Sequence, residues 1–303
     1  MKLFLYLIQG RKKNVLKYSY LQNDHSDLIA LTFDEAIEEK ELRSIENIFF
    51  PRSTWAEGRN KQLALAKKIE TKYLYYIFID DDVEFIKGNF CVFEQKLLDN
   101  KPAIGVPLLT VIKNSNRYNK KLAIQHPIAL DAQVQAFHYK VIDESIVMPL
   151  ETKFDKLSWW YSCEINHFLI LSFYKDFVMQ FNDIVVDNIG HYWNVETNVS
   201  NDANSSYLGG ISAAGLEQIR SFIEEKYGKQ PKLKNSLFHD SKYPKSNYDS
   251  KDEIHQFIHN LNKGKIKKCI KLIMVYMKSL LNRYPNSLII NEKNVKSFDS
   301  TTI

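Results

Sequence analysis

Residues Tyr73 to Phe85 read Tyr-Leu-Tyr-Tyr-Ile-Phe-Ile-Asp-Asp-Asp-Val-Glu-Phe. Seven apolar or aromatic residues run without a break and then meet three carboxylates, Asp80, Asp81 and Asp82. A short apolar run rich in aromatic and β-branched residues suits a strand buried on both faces. The side chains that follow such a strand emerge at the carboxyl edge of the sheet, where open α/β sheets place ligands. Alternation along an extended segment puts Asp80 and Asp82 on one face and Asp81 on the other. Two carboxylates on one face repel unless a cation sits between them, and hard oxygen donors suit Mg²⁺ or Mn²⁺. An acidic turn that merely caps a strand is the competing reading, since Asp is common in turns.

Outward from this stretch, strand and helix signals alternate. Leu3 to Ile8, Asp27 to Phe33 and Ile48 to Phe50 read as strands, the last ended by Pro51. Asp34 to Glu46 reads as an acidic helix, and Ala56 to Ile69 as a helix of good formers. Downstream, Phe90 to Leu98, Trp159 to Phe177 and Ala214 to Tyr227 read as helices. Ile104 to Val111 (interrupted by Pro107), Gln133 to Ile142 and Asp183 to Ile189 read as strands, and Asn114 to Lys121 as an exposed loop. This order predicts an α/β fold, a mostly parallel sheet with flanking helices.

The stretch from Trp55, Trp-Ala-Glu-Gly-Arg-Asn-Lys-Gln-Leu, followed by the apolar strand and its aspartates, resembles the GT-A nucleotide-sugar glycosyltransferases. The resemblance covers roughly the first two thirds of the chain by element order and is specific over Trp55 to Phe85. It implies a GT-A-like sheet and a nucleotide-sugar donor bound by Arg59, Asn60, Asp80 and Asp81, with Mn²⁺ or Mg²⁺ on Asp80 and Asp82. Arg59 near a helix start suits a bidentate phosphate contact, aided by free backbone N–H groups; a solvated cation on the helix face is the alternative. Inverting members of the superfamily often place a base carboxylate at a helix start, which here implies Glu164 after Trp159-Trp160-Tyr161. The sequence departs from the usual pattern in lacking a paired acid there, and a buried or capping Glu164 remains open. A late His in several such families is a metal ligand, implying His191 here; a packed histidine beside Tyr192 and Trp193 is the alternative. Asp131, ahead of Gln133 and Gln135, suits sugar hydroxyls, although a loop aspartate needs no such role.

Composition bounds the rest. The chain has 303 residues and a net charge of +5, far from a histone-like excess. Cys91, Cys163 and Cys269 lie far apart without metal-ligand spacing, which suggests a reducing compartment. The apolar run Leu3 to Ile8 is too short for a leader or a span. From Lys263 to Arg283 there are seven basic residues and no acid, beside an apolar stripe of Ile266, Ile270, Ile273, Met277 and Leu281. A basic amphipathic helix suits an anionic membrane surface, unless its stripe packs on the rest of the protein. The expected organisation is a catalytic domain over 1–228, a polar linker over 229–262, and a C-terminal helical tail over 263–303.

These features predict a cytoplasmic, membrane-peripheral enzyme moving a sugar to a glycan or lipid-linked acceptor in surface polysaccharide synthesis. A haloacid-dehalogenase-type phosphatase also ends a strand in Asp-x-Asp, but no later acidic pair follows an apolar run. A nucleotidyltransferase would need a Gly-rich phosphate loop, and Gly10 stands alone. A non-catalytic glycan-binding scaffold on the same fold is the reading from a different class. Nucleic acid is not expected as a partner, because the basic charge sits on one apolar-striped helix without interleaved stacking aromatics.

Overall fold

The structure is a computed structural model that describes residues 2–110, 118, 122–127, 130, 132–155, 159–174, 177–188, 193–194, 199–200 and 213–227. Its centre is a nine-stranded sheet. One half is parallel, in the order β3 (Glu46–Phe49), β2 (Ser26–Thr32), β1 (Phe4–Gly10), β4 (Tyr75–Asp80). The sheet continues through β8 (Val134–His138), β6 (Ile104–Leu109), β9 (Val178–Asn188) and β5 (Val83–Lys87), with the short β7 (Ile124–Gln125) also on β9. β4 and β8 pair antiparallel, as do β6 and β8, while β6 and β9 are parallel. The expected α/β class is therefore observed, with antiparallel pairings concentrated in the second half.

Alternation along β1 and β4 divides the core in two. Leu5, Leu7, Tyr76 and Phe78 face one layer, with α2 (Trp55–Ala66), α4 (Tyr139–Glu144), α5 (Trp159–Phe173) and α6 (Ala213–Tyr227). Tyr6, Ile8, Tyr75, Ile77 and Ile79 face the other, with α1 (Lys12–Val15), the 3-10 turn Leu16–Leu21 that follows it, and α3 (Phe90–Asn100). Both faces of β4 are covered, which explains its unbroken apolar run. Each fully buried Phe or Ile contributes about 1.5–3 kcal/mol.

Several expectations change. Asp34 to Glu46 is not a helix but a string of bends and turns. The Asp34 carboxylate accepts from the backbone of Lys12 and Glu35, and the Thr32 hydroxyl donates to the Glu35 carbonyl, so side chains take the bonds a helix would need. The strand expected over Gln133 to Ile142 stops at His138, whose Nδ1 accepts from Lys140 and caps α4. β5 was not expected at all. Only two residues separate it from β4, so their ends lie at most about 11 Å apart, whereas the four strand spacings between them in sheet order would span about 19 Å in a flat sheet. β9 removes the discrepancy by bending. Pro107 pairs with Phe181 but Leu108 with Val185, and a proline that cannot donate marks the break. The loop Asn114 to Lys121 apart from Tyr118, the linker 229–262 and the tail 263–303 lie outside the described residues. Among the described residues no helix is long and apolar enough to cross a membrane.

Candidate active site at the carboxyl edge of the sheet

The carboxyl ends of β1 and β4 lie side by side, with Gln9 in register with Asp80. Asp80 continues the Phe78 face and meets α2; Asp81 continues the Ile79 face and meets α1. The expected opposition of these two carboxylates is what the strand produces. Asp82 lies in the turn beyond the strand. There the Asn188 side chain, oriented with its NH₂ toward the carboxylate, donates to both Asp82 oxygens, at 3.0 Å for Oδ1. The bend in β9 is what carries Asn188 there, since Asn188 pairs with Val83 directly after the turn.

The α2 side is built around a buried arginine. Thr54 starts the helix with a full capping box, accepting from Glu57 N while the Glu57 carboxylate accepts from Thr54 N. One turn in, Arg59 is 1 % exposed, the largest fully buried side chain among the described residues. Its Nη2 donates to Asp80 Oδ1 at 2.8 Å and to the Ala132 carbonyl. The guanidinium carbon sits 4.4 Å from the Trp55 ring centroid and 5.4 Å from that of Phe78. Trp55 Nε1 donates to the same Asp80 oxygen at 3.1 Å. Arg59 is thus neither a solvated cation nor an outward phosphate fork; it is the counter-charge of Asp80. Asn60 is likewise spent locally, because its amide donates to Leu150 O at 2.8 Å and accepts from Leu150 N at 2.7 Å.

Two buried polar atoms here have no protein partner, Arg59 Nε and Gln9 Oε1. The Gln9 amide reaches α2 through a bond from Nε2 to Trp55 O at 3.1 Å. It fits beneath the helix because residue 58 is glycine: a Cβ there would lie 2.5 Å from Gln9 Oε1. Buried polar groups left unpaired by the protein are few in native structures, and a bound ligand or water is a usual reason for them.

The α1 side holds Asp81 without a cation. Its Oδ2 accepts from Arg11 N at 2.8 Å and from Asn14 Nδ2 at 2.9 Å. Burial pushes its pKa above the usual carboxylate value, against the lowering effect of those bonds. Gly10, which looked isolated in sequence, is the cradle for this side chain. A Cβ at residue 10 would lie 2.0 Å from Asp81 Cγ.

Across from Arg59 lies α5. Between Tyr161 and Ile170 only Glu164 and His167 are partly rather than fully buried, and their spacing of three puts them on one helix face. His167 feels the Arg59 charge: burial first, and then that cation, push its imidazole down to about 3. His167 Nε2 also lies 3.3 Å from Cys163 Sγ. The face carrying Glu164 and His167 therefore lies within reach of the Arg59 charge. His167 carries no motif and was not foreseen.

Asp155 was also missed, and it joins the two helices. One of its oxygens accepts from the Thr54 hydroxyl at the start of α2, the other from the Ser162 hydroxyl on α5. Asp131 and His191 lie outside the described residues. Among those residues no group of three or more His, Cys, Asp or Glu assembles around a point. Both donors to Asp80 fall on Oδ1, and Oδ2 receives none from the described residues. Asp80 and Asp82 would thus offer a hard cation a partial oxygen shell, the kind Mg²⁺ occupies when phosphate and water supply the remaining ligands.

No family model matches the chain, and no curated protein matches it. Among solved structures it is similar to S. aureus TarS 1-349 in complex with UDP-GlcNAc, at 10 % identity over 92 % of each chain with a TM-score of 0.39. The same TarS fragment in complex with UDP gives 8 % identity over 62 % of this chain and 60 % of that one, with a TM-score of 0.40. A197 from STIV gives 14 % identity over 65 % of this chain and 87 % of that one, with a TM-score of 0.38. At such scores the likeness is one of coarse shape and says nothing of activity.

Proposed function

We propose that the chain is a metal-dependent glycosyltransferase that moves a sugar from a nucleotide diphosphate donor to a glycan or lipid-linked acceptor. The observation that carries this reading is the edge of the sheet at Asp80. There a carboxylate is fixed by a buried arginine beside two unpaired buried polar atoms, and a second acidic helix face lies opposite. A strand cap needs none of that construction.

In this reading Arg59 and Trp55 hold Asp80 in place through Oδ1, so that Oδ2 remains for the ligand. Asp82, and Asp80 through its second oxygen, would hold Mn²⁺ or Mg²⁺, which when bound supplies charge neutralisation for the departing diphosphate. His191 is a further candidate ligand. Asp131 would bind sugar hydroxyls of the donor or acceptor. Glu164 takes the proton of the acceptor hydroxyl as its oxygen bonds the anomeric carbon and the bond to diphosphate breaks. His167, neutral at any working pH, orients a hydroxyl rather than removing a proton. The tail over 263–283 would seat the enzyme on the inner face of the cell membrane, where a surface polysaccharide acceptor is assembled.

A thermal-shift screen of UDP-, GDP-, CMP- and dTDP-sugars with and without Mn²⁺ tests this, because a ligand of the native state raises its melting temperature by mass action. The expected result is a shift from one donor class that needs Mn²⁺ and is lost in Asp82→Ala. No shift from any of them, or an unchanged shift in Asp82→Ala, would remove the proposal. Loss of turnover in Glu164→Gln with donor binding kept would place the base.

A further inference from the structure

The break in β9 is held in place residue by residue. Leu108 pairs with Val185 rather than with Asn182, a shift of three residues that leaves Asn182, Asp183 and Ile184 outside the ladder with β6. Each of the three has its own anchor. Asn182 is 5 % exposed; its N–H donates to Ala123 O at 2.9 Å, and its Nδ2 donates to Leu122 O at 3.0 Å and to Gln125 Oε1 at 2.8 Å. Its Oδ1 accepts from Gln180 Nε2 at 2.8 Å. Asp183 Oδ2 lies 2.8 Å from Lys96 Nζ on α3, and Ile184 is fully buried in the core layer beneath that helix. Bulges beside active sites are conserved devices that re-aim a side chain.

The side chain re-aimed here is Asn188. Continued without the break, β9 would carry Val185 to the level that Asn188 occupies, and valine has nothing to donate. We infer that Asn188 is a positioning residue for the cation site, fixing the plane of the Asp82 carboxylate through the two bonds its amide donates. This rests on the reading of Asp82 as a metal ligand. A side chain already held loses less rotamer freedom when a cation arrives. Each carboxylate oxygen accepts more than one bond, so the amide leaves room for the ion. Groups that orient a ligating carboxylate without touching the metal are worth about 10- to 100-fold in metal affinity.

Mn²⁺ binding to the full chain, read from the electron paramagnetic resonance of the free ion, tests this without a sugar donor. Asn188→Leu should weaken the affinity by about 10- to 100-fold. Asn188→Ser, polar but too short to reach Asp82, should show the same loss and serves where leucine disturbs the turn. A second readout follows the Asn188 side-chain NH₂ resonances, recognised by their absence in Asn188→Leu. They should move in Asp82→Ala before any metal is added, and in the unaltered protein substoichiometric Mn²⁺ should broaden them. Affinities as high as the parent's in both Asn188 variants, with binding lost in Asp82→Ala, would overturn the inference and leave the metal reading standing. Resonances that stay in place in Asp82→Ala would overturn it as well. No Mn²⁺ binding by the unaltered protein, or equal binding by Asp82→Ala, would remove both.

Discussion

Asp80 and Asp81 are consecutive, yet the two sides of the sheet treat them in opposite ways. On the α2 side Asp80 is matched by a full charge, a guanidinium taken out of water and wedged between Trp55 and Phe78. On the α1 side Asp81 is matched only by dipoles, the Arg11 N–H and the Asn14 amide, and burial raises its pKa. The difference is in the kind of partner each carboxylate meets, a full charge on one side and dipoles on the other. A buried Arg brings its own desolvation cost, which is offset only when its partner stays charged and well placed. Asp81 is held by dipoles alone, whereas Asp80 is held by a buried full charge as well. That distinction argues against equal treatment of the aspartate triplet and makes Asp80, with Asp82 beyond it, the side of interest for ligands.

The contrast can be broken most forcefully at Arg59. Arg59→Met keeps much of the volume but strips Asp80 of its cation and Ala132 of its donor. Breaking a buried pair in this way costs about 3–5 kcal/mol, and the 22 % exposure of the Asp80 side chain places the expectation near the lower end. Urea unfolding should show a fall of about 3 kcal/mol, and the double variant Arg59→Met/Asp80→Asn should recover part of it. A loss below 1 kcal/mol would mean that water already screens the pair.

On the other side the steric cradle is the sensitive point. Gly10→Ala places a methyl 2.0 Å from Asp81 Cγ, so the carboxylate must leave the Arg11 and Asn14 donors. Overpacking of this kind costs about 1–3 kcal/mol, and a drop of about 2 kcal/mol in unfolding free energy is expected. An unchanged midpoint would show that β1 and the turn separate easily.

Asp155 extends the comparison to a third carboxylate, one that meets only hydroxyls. Asp155→Ala removes the acceptor of both Thr54 and Ser162, with an expected loss of about 1–2 kcal/mol. Because those bonds join α2 to α5, on the proposed function the same variant should weaken donor turnover more than donor binding. Equal loss in both would assign Asp155 to the nucleotide pocket instead.

The smallest effect is expected at Asp81 itself, and its sign depends on pH. A folded-state pKa above the unfolded value means that the native protein binds more protons between the two. The stabilising contribution of Asp81 is therefore full below its unfolded pKa, about 3.9, and is lost as pH rises through the folded value. Asp81→Asn should accordingly gain on the parent protein between pH 3.5 and 7. At pH 7 it should lie within about 1 kcal/mol of the parent, since an Asn oxygen in the place of Oδ2 still accepts from both Arg11 and Asn14. Urea midpoints at the two pH values decide this, and a variant that falls behind as pH rises would contradict the assigned direction.

Much of the parallel half was legible because its signals are local. An apolar run between turn residues fixes β1, β2 and β4 whatever their partners, and Thr54 with Glu57 announces the start of α2 three residues apart. The second half was less legible. β8 ends where a histidine side chain caps the next helix, β9 starts at Val178, five residues before the strand that reads from Asp183, and β5 begins directly after an acidic turn. Their lengths follow from pairing, which no single stretch encodes.

For the site, the sequence alone determined that three carboxylates end a doubly covered strand and that Asp80 and Asp81 face apart. Both follow from alternation and burial, which are properties of neighbouring residues. Only the tertiary structure decided that Arg59 turns inward to Asp80, that Gly10 makes room for Asp81, that Asn188 reaches Asp82, and that His167 stands beside Glu164 near the buried cation. The first three of those pairings join residues from 21 to 106 positions apart, by the numbering of Arg59 with Asp80 and Asp82 with Asn188. Whether a charged side chain faces water or a buried partner is settled by desolvation against a specific counter-charge, and that balance exists only once the chain has brought the two together.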